Sequence, residues 1–71
     1  MKQEVDARGL SCPQPVLMAM QAMRKGSGEI EVLVDNEASR ENVSRAAQSQ
    51  GWSVVVDELD GGEFRLSLAK P

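Results

Sequence analysis

The sequence predicts an α/β fold: a two-layer sandwich in the order β-α-β-α-β-β, with a mixed four-stranded sheet and two helices on one face. Three observations carry that expectation. Ile30, Val32 and Val34, and later Phe64, Leu66 and Leu68, alternate with their neighbours at a period of two, so one sheet face is buried and the other open. Two longer segments repeat apolar or small residues at three- and four-residue spacing, which marks helices with one inward stripe. Glycines stand where these segments stop, at Gly9, Gly26, Gly51 and Gly61-Gly62. With 71 residues the chain reads as one domain, and so small a domain needs a well-patterned core.

Lys2 to Ala7 reads as the first strand, with Val5 inward and Gly9 as its breaker. The first helix is expected from Pro13 to Lys25. Pro13 suits the first helical position, because its ring fixes φ near the helical value and its missing N–H would lack a partner there anyway. Pro15 is tolerated in the same turn. Val16, Ala19, Met20 and Met23 form the inward stripe, with Met18 off it and partly exposed. Arg24 and Lys25 favour the negative end of the helix, and Gly26 suits a left-handed cap.

The second strand runs from Glu29 to Asp35. Asp35 and Asn36 offer caps for a second helix from Glu37 to Gln50, whose inward stripe is Val43, Ala46 or Ala47, and Gln50. Trp52 to Leu59 is the third strand, with Val54 and Val56 inward. Asp60-Gly61-Gly62 makes a hairpin turn into a fourth strand, Glu63 to Ala69. Two βα units predict parallel pairing with right-handed crossovers, and the closing hairpin adds the antiparallel strand.

Composition narrows the functions. The net charge is −3, from 8 basic and 11 acidic residues, and the basic residues are scattered. Trp52 and Phe64 are the only aromatics, so neither the basic stripe nor the stacking surface of a nucleic-acid binder is present. No histidine and one cysteine argue against a transition-metal site. The start, Met1 to Asp6, lacks the apolar core of a secretory signal, and no apolar run approaches membrane-spanning length. A lone cysteine without an export signal points to a reducing, cytoplasmic setting.

That lone cysteine, Cys12, stands in Ser11-Cys12-Pro13-Gln14-Pro15, where a strand turns into a helix. A thiol at a helix start faces free backbone N–H groups, and the helix dipole favours its ionised form by about 0.3–1 kcal/mol. One pKa unit corresponds to about 1.4 kcal/mol, so the dipole alone shifts the thiol by less than one unit. Arg8, four residues upstream, is the candidate for further thiolate stabilisation. Asp6 either orients Arg8 or neutralises it. Pro13 and Pro15 shape the loop and leave the N–H groups of Gln14 and Val16 as first-turn donors. Read from these residues alone, Cys12 is either a reactive thiol or a small buried apolar side chain. Elsewhere, Asp57, Glu58, Asp60 and Glu63 could hold a hard cation but lack the spacing of a calcium loop, and a solvated turn explains them. Met18, Met20 and Met23 belong to the core or its edge, with Met18 able to widen a docking surface.

Asp6-Ala7-Arg8-Gly9-Leu10-Ser11-Cys12-Pro13-Gln14-Pro15 resembles the signature of the TusA/SirA family of small sulfur-carrier proteins, a CPxP motif after a D-x-R-G-L stretch. The order of elements fits that family along the whole chain. Val34 to Val43, with Ser49-Gln50-Gly51, further resembles the N-terminal TusA-like domain of YedF-type selenium-metabolism proteins, in which a DsrE-like domain commonly follows. The resemblance therefore implies one TusA/SirA-like domain over residues 1–71, either standing alone or cut from a longer two-domain protein.

The resemblance implies that Cys12 accepts a sulfane sulfur as a persulfide and passes it on. The partners would be a protein sulfur donor, such as a cysteine desulfurase, and a protein sulfur acceptor, with selenium as an alternative cargo. Pro13, Gln14 and Pro15 carry over as motif residues, and Asp6 and Arg8 as flanking positions. Such a relay needs no cofactor. The rival from another class is a non-catalytic interaction or regulatory module in which CPxP is only a helix start. A third reading is a redox sensor whose exposed thiol is oxidised reversibly.

Overall fold

A computed structural model of the chain describes residues 2–10, 14–25 and 28–70. It carries the elements in the predicted order: β1 (Lys2–Asp6), α1 (Gln14–Arg24), β2 (Glu29–Val34), α2 (Glu37–Ser49), β3 (Ser53–Glu58) and β4 (Phe64–Ala69). A short 3-10 turn at Asp60–Gly62 joins the last two strands, and Gly61 and Gly62 there take φ of +76° and +78°. The Leu59 N–H closes this hairpin on the Glu63 carbonyl at 2.8 Å.

The sheet is mixed, as the sequence predicts, and its strand order is β1-β2-β4-β3. β1 pairs in parallel with β2, while β4 lies antiparallel between β2 and β3. The hairpin therefore does more than extend the sheet. Its second strand takes the central place, and β3 becomes an edge. Leu66 and Leu68 of β4 explain the preference, since both are essentially fully buried and pair across from Val32 and Ile30. β3 has a half-buried Val54 and outward-leaning neighbours, which suits an edge.

The core is the buried row Ile30, Val32, Val34, Leu66 and Leu68, covered by Ala19 and Ala22 of α1 and Val43 and Ala47 of α2. Three inward readings need correction. The buried stripe of α1 is Pro15, Ala19 and Ala22, with Val16, Met18 and Met23 packed beside it, so Pro15 and Ala22 take the place expected for Met20. Small residues let α1 approach the sheet closely, and the longer methionine side chains fill its flanks. On α2 the stripe is Ser39, Val43 and Ala47, four residues apart, and Gln50 is exposed beyond the end of the helix. Val56 is 37% exposed, in an open groove beside Glu37, Arg40 and Phe64. Phe64 is half-buried, with the Arg40 guanidinium 5.4 Å from its ring centre. The predicted helical residue Pro13 and the predicted cap Gly26 lie outside the described residues.

Asn36 caps α2. Its side-chain oxygen accepts the Ser39 N–H at 2.8 Å, satisfying one of the free donors of the first turn.

Leu66→Ala should cost about 2–5 kcal/mol, much of the stability of so small a domain. Leu17→Ala, at a site 48% exposed, should change stability by no more than about 0.5 kcal/mol. Asn36→Ala should fall between them at about 1 kcal/mol. Urea unfolding of the three variants checks the ranking.

Candidate functional site

Parallel pairing of β1 and β2 delivers the ends of both strands to the same edge of the sheet. After Asp6 the chain makes one more ladder bond, from the Ala7 N–H to the Leu33 carbonyl at 2.9 Å, and buries the Ala7 side chain. It then turns at Gly9, whose φ of +78° is a region that a side chain makes costly. The Gly9 N–H donates to Asp35 Oδ2 at 2.7 Å. Asp35 follows directly on β2, and Asn36 Nδ2 donates to its other oxygen at 3.1 Å. The residue that caps α2 thus also steadies the carboxylate that holds the turn before α1.

Asp6 and Arg8 form a two-point pair. Arg8 Nε donates to Asp6 Oδ1 at 2.9 Å and Arg8 Nη2 to Asp6 Oδ2 at 2.8 Å, with the Arg8 backbone N–H also on Oδ1 at 3.2 Å. Arg8 Nη1 reaches Glu63 Oε1 at 3.3 Å. The hydrogen bonds from the Arg8 side chain and backbone hold the Asp6 carboxyl down to about 2, and the carboxylates around Arg8 raise its guanidinium above its ordinary value. All of these groups are at the surface, so the pair orders the turn more than it stabilises the fold. The two-point pair is the contact that both roles considered for Asp6, orienting Arg8 and neutralising it, require.

Ser11, Cys12 and Pro13 lie outside the described residues. Their flanks are described. Leu10 is 36% exposed, and Gln14, the first residue of α1, is exposed. Pro15 is buried and anchors the first turn of α1 to the core. That turn contains no acidic side chain, whereas the first turn of α2 has Glu37 and the Asn36 cap. The positive end of α1 is therefore not answered by a carboxylate of its own first turn.

The structure thus brings Asp6 and Arg8 together and sets Gln14 and Pro15 at the helix start. Asp35 and Glu63 are the residues that sequence reading assigned elsewhere, the first to capping and the second to the hairpin. For Asp35 a signal existed: it ends a strand expected to lie parallel to the one ending near Asp6. For Glu63 there was none, because its approach to Arg8 depends on β4 lying beside β2. The hairpin carboxylates do not converge. Arg65 holds Asp57 at 3.4 Å, Arg8 holds Glu63, and no metal-binding group of three His, Cys, Asp or Glu occurs among the described residues.

This two-layer arrangement with a glycine-turned loop feeding a helix start is a SirA-like fold. A crystal structure of a SirA-like protein from Desulfitobacterium hafniense matches it with a TM-score of 0.87 and 33% identity, covering 97% of this chain and 96% of that one. The chain belongs to the family described as Sulfurtransferase TusA, whose sequence profile matches residues 3–70. The sulfur carrier protein TusA of Pseudomonas syringae pv. syringae is 30% identical over 69 residues, which cover 94% of this chain and 82% of the relative. A Methanocaldococcus jannaschii protein provisionally named a sulfur carrier is 34% identical over 70 residues, covering 94% of this chain and 92% of its own.

Because folding lowers the Asp6 pKa, the pair contributes its stability above the unfolded-state value near 4 and loses it as pH falls toward about 2. Carboxyl-carbon NMR titration of the folded protein should place the Asp6 midpoint near 2 and return it to the ordinary carboxylate range in Arg8→Ala.

Proposed function

We propose that this protein is a sulfur relay: Cys12 takes up a sulfane sulfur as a persulfide from one protein and hands it to another. The observation that carries the reading is the start of α1. It follows a turn pinned by Gly9 and Asp35, it is anchored by Pro15, and its first turn has no carboxylate to compete for the positive end. Exposed residues, Leu10 and Gln14, flank the segment that contains Cys12, which favours access by large partners.

The chemistry is exchange at sulfur. The Cys12 thiolate attacks the terminal sulfur of a donor cysteine persulfide; the donor's S–S bond breaks, and its thiolate leaves. Cys12 then carries the extra sulfur. In the second step a nucleophile of the acceptor protein attacks that sulfur, and the Cys12 thiolate is released. No net oxidation occurs and no cofactor is required. Arg8 is occupied by Asp6 and Glu63, so thiolate stabilisation falls mainly to the N–H groups and dipole of α1. That supplies about 0.3–1 kcal/mol and leaves the thiol pKa only modestly lowered. Pro13 and Pro15 limit the loop's freedom, so the sulfur is presented at low entropic cost. A cysteine desulfurase is the donor chemistry proposed, a thiol-bearing or tRNA-modifying protein is a fitting acceptor class, and the cytoplasm is the setting. The same thiolate would carry selenium from a selenium-loaded donor.

Incubation with a cysteine desulfurase and cysteine should add one reducible sulfur atom to the wild-type intact mass and none to Cys12→Ser. Alkylation of Cys12 by a small reagent should be fast and should block the gain. Slow alkylation together with no gain would sink the relay and leave a structural thiol.

A further inference from the structure

The strand register sets Glu29, Ala69 and Ser53 at one end of the sheet and Leu33, Arg65 and Asp57 at the other. The Gly9 turn leaves from the second end. At the first, roughly 13 Å away by the rise of four strand residues, the chain forms a groove. Met20, Met23 and Arg24 of α1, Gln50 and Trp52 after α2, and Lys70 after β4 line about 440 Å³. That volume is in the range of small-molecule sites.

The groove has two chemically different parts. Met20 and Met23 are half-buried, and Trp52 is 7% exposed, giving thioether and indole walls that adapt to a flat or branched apolar body. Arg24 and Lys70 are exposed at its edge. Arg8, Arg40, Arg45 and Arg65 each hold a carboxylate, whereas Arg24 and Lys70 hold none among the described residues. The neighbouring helix end does not use them either. The Ala47 carbonyl accepts from the N–H groups of Gln50 and Trp52, and the Gln48 carbonyl from Gly51, so these oxygens are already satisfied. In a chain of net charge −3, two cations without a carboxylate partner among the described residues, beside the walls of Met20, Met23 and Trp52, form a complementary site for an anion.

We propose that this groove binds a small organic oxyanion. Its apolar body lies against Met20, Met23 and Trp52, and its carboxylate or phosphate sits between Arg24 and Lys70. The Gln50 amide is the neutral hydrogen-bonding group of the site. Binding here is a second function, at the opposite end of the sheet from the Gly9 turn and independent of thiol chemistry.

The test is an amide-resolved NMR titration of the full chain with 1-naphthyl phosphate, with 1-naphthol and inorganic phosphate as half-ligands. The expected result is saturable shifts at Met20, Met23, Arg24 and Lys70 and at the Trp52 indole N–H. Each half-ligand should bind at least tenfold more weakly. Arg24→Gln and Lys70→Gln should each weaken naphthyl phosphate several-fold, with the rest of the spectrum unchanged. Three outcomes overturn the proposal: no saturable shifts, shifts centred elsewhere, or equal affinity for naphthol or for both variants. Because 1-naphthyl phosphate carries no transferable sulfur, this result stands apart from the fate of the relay.

Discussion

The structure depends on β2 having two partners of opposite direction, β1 in parallel and β4 antiparallel. The first pairing forces a crossover, which α1 supplies, and brings the ends of β1 and β2 side by side. The second puts Leu66 and Leu68 next to Val32 and Ile30 and completes the apolar surface on which both helices lie. Without the first there is no Gly9–Asp35 bond. Without the second there is no core wide enough for two helices, and Glu63 has no route to Arg8.

Arg8, Gly9 and Leu10, the described part of the turn after Ala7, are exposed and are held by charge and backbone chemistry. Asp6, Arg8 and Glu63 form an exposed chain of ion pairs, and Asp35 accepts a backbone N–H at a glycine in left-handed conformation. Exposed pairs contribute little to global stability. Their value here is geometric. They fix the direction in which the chain enters the segment containing Cys12, while buried Pro15 fixes the direction in which it leaves. Ordering both flanks of a segment lowers the conformational entropy that docking of a partner there would cost.

The two ends of the sheet have different electrostatic characters. Around the Gly9 turn, Asp6 and Glu63 hold the Arg8 guanidinium, and Asp35 accepts the Gly9 N–H. At the far end, Arg24 and Lys70 border a groove walled by Met20, Met23 and Trp52. The Arg8 guanidinium is spoken for, while the positive end of α1 is not answered by a carboxylate of its own first turn. An anion is drawn to the far end. The fold thereby separates the paired charges of the Gly9 turn from the groove beside Arg24 and Lys70.

The sequence by itself determined the order and kind of every element, because periods of two and three-to-four are local properties of side chains. It also determined the family, since Asp6-x-Arg8-Gly9-Leu10 and Cys12-Pro13-x-Pro15 are contiguous, and it made Cys12 the residue of interest. Local pattern was weaker on which way a helix faces. In α1 the alanines, not Met20, meet the sheet, and in α2 Ser39 replaces Gln50, because close approach to neighbouring strands selects small side chains that no periodicity distinguishes from larger ones. Strand order was decided only in three dimensions. A hairpin strand with the two leucines is worth more in the centre than at the edge, and that comparison exists only once both faces and all neighbours are present. The partners of Asp35 and Glu63, and the meeting of Arg24 and Lys70 at one groove, follow from that order. They are long-range consequences of packing, so no window of sequence contains them.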